Sequence, residues 1–472
     1  MFNKTFKKTL IILVACLMLA LVAFSACSTT EEFKPVATDG ISGKTAESNG
    51  GSAVKYGDYI YYVNGIQGSA SADNAYSNTV RSGSVVRIEA SKLETILQIN
   101  ENQDLSTTNK TKDIAEFVKN NVQLIVPCFY YSTNSTNTSL AGIHIFSDRL
   151  YITTPNQELT SGGQSLTNQL VLESYKLDGS DRKQHFTIVG DVWSTSTTGL
   201  EILLAEVNNT VWATYVVDSD LHSVNVATGE NAIIAEEVSN AKFDKANNVV
   251  FYQDKDGQIC QFNAGSSEQK VLVKKVDTDE SKLTYTIAQV SDGYVYYTQA
   301  DSVNSTMDGK VLYYACHNGT EVKTGKVLSA IPGVTYFGWG EKVIFVGEET
   351  HGNTTAKTYT VYAAYETADG VKKDVLFTSA KSITLVKVQN GKVFYTDNGV
   401  TYTRTLGATV GDATFYAKDL SSSATSSWAE ADVVGNYTFA LATDSVKVTI
   451  YNPEKKTNSS AITITLVADD AE

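Results

Sequence analysis

The sequence is poor in proline and cysteine and has no excess of basic residues. Five prolines and five cysteines are spread over 472 residues, whereas glycine occurs 32 times and tyrosine 26 times. So few cysteines exclude a small scaffold held together by disulfides. The 38 lysines and arginines stand against 52 acidic residues, a net charge of −14. Because nucleic-acid-binding proteins carry clustered positive charge, we expect no nucleic-acid partner.

The sequence also lacks the motifs of common catalytic and metal sites. Its five histidines, at positions 144, 185, 222, 317 and 351, share no HxH or HExxH spacing. It contains neither a Gly-x-Ser-x-Gly elbow nor a Cys-x-x-Cys pair. We therefore predict no catalytic residue, no metal and no cofactor. A pair of carboxylates for glycoside hydrolysis cannot be selected from 52 acids by sequence alone.

The first residues have the features of a secretion signal. Three lysines within the first eight residues precede an apolar run over residues 10–24, which is short for a membrane-spanning helix. The run leads into the sequence FSAC, whose last residue is Cys27. This segment resembles the lipobox of bacterial lipoproteins, in which the cysteine receives a diacylglycerol and becomes the mature N-terminus. The resemblance implies lipid attachment at Cys27 and a protein held at the extracellular face of the cell membrane.

Composition divides the chain into three parts. We predict a lipoprotein signal peptide over 1–26, a flexible tether over 27–53 and one folded domain over 54–472. The tether is rich in Ser, Thr, Gly and Glu and nearly free of large apolar side chains. Because an acidic domain is repelled by anionic lipid, the acyl chains must supply the membrane attachment. We interpret Cys128, Cys260 and Cys316 as isolated buried thiols, with one disulfide left open as an alternative.

A short pattern recurs along the folded region. Each copy has a turn rich in Gly, Asp or Asn, then four to six β-branched or aromatic residues, then another turn. The Asn-Gly and Asp-Gly pairs favour the positive φ angles of tight hairpins. The copies are centred on Tyr61, Tyr151, Trp212, Phe251, Tyr296, Ile344 and Phe394. Four of the six spacings between these centres are 39 to 50 residues, the length of a four-stranded propeller blade.

These repeats predict an all-β chain folded as a β-propeller of seven or eight blades. The longest spacing, from Tyr61 to Tyr151, requires an insertion, and Ile114, Phe117 and Val118 predict a short helix near residues 110–120. The repeated aromatic side chains are interpreted as packing between blades, and Trp339 is placed near a rim. Two β-sandwich domains are the alternative architecture.

One group of propellers resembles this repeat. The sequence FYTD at residues 394–397 is close to the Tyr-Trp-Thr-Asp repeat, with looser copies at 61–64, 251–254 and 296–299. The chain as a whole is similar to the YWTD/TolB-like β-propeller repeat lipoproteins of Gram-positive bacteria. The resemblance implies a surface-anchored propeller that binds an extracellular protein or glycan or acts as an interaction scaffold. The alternative is a carbohydrate- or peptidoglycan-processing enzyme with acidic residues at the propeller channel.

Overall fold

The structure, a computed structural model, contains eight antiparallel β-sheets in its described part. It describes residues 43–65, 84–126, 142–159, 165–190, 200–304, 309–350, 356–397, 400–415, 433–441, 445–452, 454–455 and 457–467. Each sheet is made of consecutive strands, so each forms one blade, numbered here 1 to 8 along the chain. The predicted all-β propeller of seven or eight blades is confirmed, with eight blades. Cys27 and Cys128 lie outside the described residues.

Blades 1 to 4 cover residues 46–273. Their strands are β1 (Ala46–Glu47), β2 (Ala53–Tyr56), β3 (Tyr59–Val63), β4 (Val85–Glu89) and β5 (Gln123–Val126) in blade 1; β6 (His144–Phe146), β7 (Arg149–Leu159), β8 (Ser165–Lys176) and β9 (Lys183–Val189) in blade 2; β10 (Ile202–Val207), β11 (Thr210–Val217), β12 (Asp220–Asn225) and β13 (Asn231–Ala235) in blade 3; and β14 (Ser239–Asp244), β15 (Val249–Gln253), β16 (Ile259–Asn263) and β17 (Lys270–Val273) in blade 4.

Blades 5 to 8 cover residues 283–463. Their strands are β18 (Leu283–Ser291), β19 (Tyr294–Asp301), β20 (Leu312–His317) and β21 (Val322–Leu328) in blade 5; β22 (Tyr336–Trp339), β23 (Lys342–Thr350), β24 (Lys357–Thr367) and β25 (Gly370–Ser379) in blade 6; β26 (Ile383–Gln389), β27 (Lys392–Asp397), β28 (Val400–Thr405) and β29 (Thr414–Phe415) in blade 7; and β30 (Val433–Val434), β31 (Tyr437–Leu441), β32 (Val446–Asn452), β33 (Thr457–Asn458) and β34 (Ile462–Thr463) in blade 8.

Two helices are inserted between β4 and β5. They are α1 (Ala90–Glu101) and α2 (Thr107–Asn121), and the Ser106 hydroxyl caps α2 by accepting a hydrogen bond from the Asn109 N–H. The predicted helix near residues 110–120 is confirmed as the middle of α2, whereas α1 was missed. Both helices bury apolar residues at helical spacing, Leu93 with Ile96 and Ile114 with Val118, against blades 1 and 8.

The repeats found in the sequence share one position in the fold. All seven aromatic or aliphatic centres fall in the second strand of a blade, from β3 in blade 1 to β27 in blade 7, where β2 counts as the first strand of blade 1. The turns before β11, β19 and β27 hold both of their residues at positive φ, at 208–209, 292–293 and 390–391. Two residues at positive φ define the type I′ turn, which matches the twist of paired strands.

Apolar side chains fill the spaces between blades. Six clusters of buried residues join blades 1, 2 and 3, then 3–4, 4–5, 5–6, 6–7 and 8–1. All five residues of β15 are buried, because this strand is covered on both faces. Stacking blades in this way buries sheet faces that a lone four-stranded sheet would expose.

The ring closes where blade 8 packs on blade 1. Asn64 donates from Nδ2 to the Leu466 carbonyl at 2.7 Å and accepts from the Leu466 N–H at 2.9 Å. The Tyr62 hydroxyl donates to the Ile464 carbonyl at 2.9 Å, and its ring lies 5.4 Å from that of Phe439. Blade 1 and blade 8 are each built from a single end of the chain, so packing and these bonds, rather than a shared sheet, hold the ring together.

Strand direction assigns every connection to one of two faces. We call turn face the side that carries the connections between first and second strands and between third and fourth strands. On it, the first of these connections has two residues in seven blades and four, 245–248, in blade 4. We call loop face the opposite side, with the connections between second and third strands and the links between blades. Its connections include 64–84, 127–143, 190–201, 302–311 and 416–432.

The described chain begins on the turn face. The Gly43 N–H donates to Asp148 Oδ1 at 2.9 Å, and Asp148 belongs to the first turn of blade 2. β1 then pairs antiparallel with β2. Both β1 and the start of β2 lie within residues 27–53, where a tether was predicted. The part of this segment from residue 46 onward therefore belongs to blade 1.

Candidate functional site

A carboxylate at the turn face joins two blades that are not neighbours. Asp292 accepts hydrogen bonds from the backbone N–H groups of Asn390 and Gly391, at 2.5 and 2.9 Å. Beside it, the Ser291 hydroxyl donates to the Val388 carbonyl at 3.0 Å. These bonds connect blade 5 to blade 7 past blade 6. We call this group of contacts the clasp.

A second turn-face carboxylate has a similar role. Asp244 is buried and accepts from the Gly293 N–H at 2.6 Å and from the Asn247 side-chain amide at 3.0 Å. Backbone N–H groups are obligatory donors, and a carboxylate that receives them holds a turn in place. Asp244 and Asp292 thus serve as acceptors within the fold rather than as free acids beside the channel.

The third turn-face carboxylate holds the start of the described chain. Asp148 accepts from the Tyr56 hydroxyl as well as from the Gly43 N–H, and the Lys44 N–H donates to the same tyrosine oxygen at 3.1 Å. Burial, followed by the bond to Asp148, raises the pKa of Tyr56 to about 12. The tyrosine therefore remains a neutral donor at physiological pH and keeps residues 43–44 attached to the turn face.

Blade 2 contains a serine and a histidine in hydrogen-bond contact. Ser174 Oγ lies 2.7 Å from His185 Nε2, and Arg149 donates to the same oxygen from Nε and Nη2 at 3.1 and 3.0 Å. Burial lowers the pKa of His185, which also has a backbone hydrogen bond to Val226. This is the spacing of a nucleophile and its base. Ser174 is 0% exposed, however, so no substrate reaches it and the group is structural.

His144 is a second buried histidine, at the start of β6. Its ring stacks on that of Phe146 at a centroid distance of 5.7 Å, and a Cβ on Gly50 would lie 2.9 Å from it. Burial, with a smaller contribution from the charge of Lys245, lowers the pKa of His144 to about 3. Gly50 has φ +93°, so glycine is required there both for space and for backbone conformation.

The described cysteines are consistent with the predicted isolated thiols. Cys260 and Cys316 are both buried, and neither forms a disulfide. Burial, followed by the charge of Asp254, raises the pKa of Cys260 to about 12, so this thiol is unreactive. Asp254 itself accepts from the N–H groups of Asp256 and Gln258 and shapes a hairpin turn.

Within the described ranges, no group of three or more His, Cys, Asp or Glu residues has the spacing of a metal site.

Exposed valines lie at both faces of the ring. Val189, Val303, Val334 and Val467 are at least 46% exposed at the loop face, and Val322 and Val371, at the starts of β21 and β25, are 42% and 52% exposed at the turn face. The connection that contains Val303 and the link that contains Val334 are joined by a hydrogen bond from the Ile331 N–H to the Lys310 carbonyl, at 3.0 Å. Contiguous exposed apolar patches are typical of surfaces that contact other proteins, whereas single exposed apolar residues are common on any surface, so the joined pair of connections is the relevant feature.

Blades 2 and 6 have the longest hairpins toward the loop face. β7 has 11 residues and β8 has 12, and β24 has 11, whereas β15 and β16 in blade 4 have five each. In a ring of eight blades, blades 2 and 6 stand opposite each other across the channel. No composition signal distinguishes these hairpins, and sequence analysis missed them.

The aromatic residues singled out in the sequence fall into two groups. Tyr61, Phe251 and Tyr296 are 0% exposed and pack between blades, as predicted. Trp339 ends β22 beside a two-residue turn, half-buried, with Lys342 Nζ 6.0 Å from its ring centroid. It therefore lies at the rim of the turn face.

Across the described part of the chain, no helix has the length and apolarity needed to cross a bilayer.

Comparisons with known proteins give likenesses of overall shape. No family model matches the chain, and no curated protein matches it. Among solved structures, the WD40 domain of SCAP from fission yeast has 7% identity and a TM-score of 0.33, covering 72% of this chain and 77% of its own. The β-propeller domain of the Trilobed protease from Pyrococcus furiosus has 8% identity and a TM-score of 0.29, covering 69% and 91%. The N-terminal domain of Nup159 has 12% identity and a TM-score of 0.26, covering 74% and 92%.

Proposed function

We propose that this chain is a lipid-anchored β-propeller that binds an extracellular protein through its loop face. The observation that carries the proposal is the difference between the two faces of the ring. On the turn face the first turn of most blades has two residues, carboxylates hold backbone N–H groups, and α1 and α2 are inserted, whereas the loop face presents Val303 and Val334 on two connections that are hydrogen-bonded to each other. In this proposal the chain is one of the YWTD/TolB-like propeller lipoproteins that its repeats resemble.

The position of the first described residues supports an outward-facing loop face. Gly43 and Lys44 are bonded to Asp148 and Tyr56 on the turn face. A tether that runs from Cys27 to residue 43 therefore reaches the ring from that side. With acyl chains on Cys27, the turn face is the side nearer the membrane, and the loop face is presented to the extracellular space.

The exposed valines favour a protein over a glycan as ligand. Val303 and Val334 lie on joined connections, and each is about half exposed. Burial of such side chains supplies binding energy at about 25 cal/mol per Å² of apolar surface. A polysaccharide would instead be recognised through exposed aromatic rings; of the aromatic repeat centres, Tyr61, Tyr151, Phe251 and Tyr296 are buried, and Trp212 and Phe394 are partly buried.

The enzyme hypothesis requires acids that are free at the channel. Asp244 and Asp292 lie at the turn-face end of the ring, and both already accept hydrogen bonds from backbone N–H groups. The buried Ser174 is likewise unable to act as a nucleophile. We therefore place binding ahead of carbohydrate or peptidoglycan processing.

Lipid attachment is tested by metabolic labelling with an alkyne-tagged fatty acid. The wild-type chain should be labelled and recovered with membranes, and Cys27→Ser should lose both properties. Cys16→Ser is the matched control, because Cys16 lies inside the apolar run and should leave both unchanged. Labelling that survives Cys27→Ser would contradict the anchor.

Binding is tested with immobilised protein exposed to extracellular fractions and, in parallel, to a glycan array. We expect a protein partner whose capture falls at least tenfold in the double variant Val303→Glu/Val334→Glu. Lys392→Glu, an exposed charge reversal on the turn face, is the matched control and should retain capture. Binding of a glycan without a protein, or turnover of a glycan, would overturn the proposal.

A further inference from the structure

The outer strand of blade 6 is the longest outer strand among the described residues. β25 has ten residues, whereas β9 and β21 have seven each and β13 has five. Its residues 370–375 are all exposed, and among them Val371 is 52% and Val375 is 60% exposed. A long exposed edge strand that carries apolar side chains is a place where a strand of another chain can pair.

The hairpin that forms β25 determines which of its backbone groups point outward. Thr367 and Gly370 flank a two-residue turn and pair with each other, and the pairing with β24 continues in register as far as Val375. Residues beside such a turn exchange both of their hydrogen bonds, and bonded and non-bonded pairs then alternate along the hairpin. The N–H and C=O groups of Val371, Lys373 and Val375 therefore point away from β24.

A bulge limits the regular part of this edge. Tyr362 pairs with Val375 and Val361 with Phe377, so Leu376 is an extra residue in β25. Bulges interrupt strand pairing and bend the strand. An added strand therefore fits the five residues 371–375, which we call the blade 6 edge.

We propose that two copies of this chain pair through the blade 6 edge, antiparallel and centred on Lys373. In this register Val371 lies opposite Val375 of the second copy, and Lys372 lies opposite Asp374 of the second copy. The twofold symmetry repeats both pairs. Apolar pairs and opposite charges at directly opposed positions stabilise an antiparallel sheet, so the edge is complementary to itself.

Neighbouring registers lose this complementarity. Directly opposed residues lie on the same face of a sheet, so the twofold axis passes through a residue rather than between two residues. Centring the pair on Lys372 opposes this lysine to itself and Val371 to Lys373. Centring it on Asp374 opposes this aspartate to itself and Lys373 to Val375. Each shift separates the valines and brings like charges together.

Asp374 has room for a second cation. It accepts a hydrogen bond from Lys342 Nζ at 2.8 Å, and its side chain is 49% exposed. A carboxylate offers about four acceptor positions on its two oxygens. Asp374 can therefore accept from Lys342 of its own blade and from Lys372 of the second copy at the same time.

The two central lysines keep their charges apart. Like charges at opposed positions are unfavourable. The Lys373 ammonium, however, lies over its own blade, with Nζ 5.4 Å from the ring centroid of Phe345 and 5.8 Å from that of Tyr362. These rings belong to β23 and β24, on the inner side of β25, and each attracts the cation. The two ammonium groups are thus drawn away from the shared edge in opposite directions.

The twist of a blade sets the relative orientation of the two rings. Neighbouring strands are rotated by about 20–25°, so three steps turn β25 by about 60–75° relative to β22, which runs between the two faces. β25 therefore runs mostly along the circumference of the ring, and the twofold axis lies nearer to the ring axis than to the ring plane. Both copies then present their loop faces to the same side. The proposal holds independently of what the loop face binds.

Disulfide trapping of the full chain in detergent tests the centre of the pair. Lys373→Cys should give a linked dimer, because the Cα atoms of a directly opposed, hydrogen-bonded pair lie about 5.5 Å apart, within the range that a disulfide spans. Lys372→Cys is the matched control, exposed and one residue away, and should give none. The wild-type chain shows any linkage through native cysteines. No dimer from Lys373→Cys, or equal amounts from both variants, would overturn the proposal.

A mixture of two variants tests the antiparallel direction. Val371→Cys and Val375→Cys, carrying different affinity tags, should each stay unlinked alone and should form a linked pair with each other when mixed. Linkage of either variant to itself would indicate parallel pairing and would overturn the proposal. So would linkage of Lys373→Cys to a different protein in cells that express the chain.

Charge reversal tests what holds the pair together. Lys372→Asp opposes two aspartates at both ends of the edge, so the dissociation constant of the dimer, measured by sedimentation, should rise about tenfold. Lys372→Asp/Asp374→Lys restores opposite charges and should bind at least threefold more tightly than Lys372→Asp. Lys255→Asp, an exposed lysine of blade 4, is the matched control and should leave the constant unchanged. A wild-type chain that remains monomeric, or an equal effect of Lys372→Asp and Lys255→Asp, would overturn the proposal.

Discussion

The two faces of this propeller are built from the same repeats but held in different ways. On the turn face, tight turns are joined across blades by Asp244 and Asp292, which accept backbone N–H groups. On the loop face, several connections are longer than these tight turns, and Val303 and Val334 remain exposed. Turns joined across blades thus support longer connections on the opposite side, the arrangement in which loops on a scaffold provide binding.

The contrast also separates structural acids from functional ones. A carboxylate near a channel invites a catalytic interpretation, yet Asp292 has both oxygens occupied by N–H groups of blade 7. The lesson for propellers is to identify the hydrogen-bond partners of each acid before assigning it a chemical role.

The largest expected effect is a loss of stability in acid, which comes from protonation of the buried His144. Its pKa is near 6.5 when unfolded and about 3 when folded. Between these values the unfolded state binds the additional proton, so the free energy of unfolding falls as the pH drops from about 6.5 toward 3. At 1.36 kcal/mol per pKa unit the loss reaches at most about 5 kcal/mol.

Urea unfolding at pH 7 and pH 4 measures this effect. His144→Phe, which keeps an aromatic ring against Phe146, should lose about 3 kcal/mol less between the two pH values than the wild type. His317→Gln, at a half-buried position, should follow the wild type. An acid response that is the same in His144→Phe and the wild type would exclude His144 as its source.

The next effect concerns Asn64, where hydrogen bonds to the Leu466 backbone hold blades 1 and 8 together on the loop-face side. Asn64→Ala removes both partners of the Leu466 backbone and leaves buried polar groups unpaired, so it should cost about 3 kcal/mol. Asn100→Ala is the control, because its bond to the Ser460 hydroxyl crosses the same junction in an exposed position. Chemical denaturation of the two variants should differ by at least about 2 kcal/mol. Equal losses would show that the ring does not depend on Asn64.

A smaller effect compares two acids, one on each face. Asp292→Ala leaves the N–H groups of Asn390 and Gly391 without an acceptor and should cost about 2 kcal/mol. Asp279→Ala, at an exposed position in the loop-face link 274–282, should change the free energy of unfolding by less than about 0.5 kcal/mol. The midpoints in guanidinium chloride decide between them, and a loss in Asp279→Ala that matches Asp292→Ala would break the contrast between the faces.

The smallest effect comes from lengthening a loop-face connection. Four Gly and Ser residues inserted between Gly333 and Val334 should lower stability by less than about 0.6 kcal/mol, because loop-closure entropy grows slowly with length. The same insertion between Asn390 and Gly391 breaks a type I′ turn and the clasp. Thermal unfolding should therefore show a small shift for the first insertion and a large one for the second. Similar shifts would contradict the division into faces.

Much of the architecture could be predicted because it is local. Turn pairs such as Asp292-Gly293 and aromatic runs such as Tyr294–Thr298 specify a hairpin within ten residues, and the spacing of these hairpins indicates blades. α1 escaped prediction because its start has no capping signal in the sequence. Its N-cap residue Glu89 makes no side-chain capping bond, and Leu93 and Ile96 are its only buried residues.

The partnerships that define the two faces could not be predicted. Asp292 and Gly391 are 99 residues apart, and Asn64 and Leu466 are 402 apart. Nothing in the local sequence of an aspartate distinguishes an acceptor for a distant turn from a free acid. The burial of Val446, Val448 and Ile450 on one side of β32, by contrast, is visible in the alternation of residues 446–450 once the blades are known.

Photo-crosslinking from defined positions tests the central claim most directly. p-Benzoylphenylalanine is placed at Val303 and Val334 on the loop face, and at Glu268 and Lys392, both exposed, on the turn face. In intact cells, the first two positions should capture the same extracellular protein, and the last two should not capture it. Capture of that protein from Glu268 and Lys392, with none from the valine positions, would contradict the assignment of binding to the loop face.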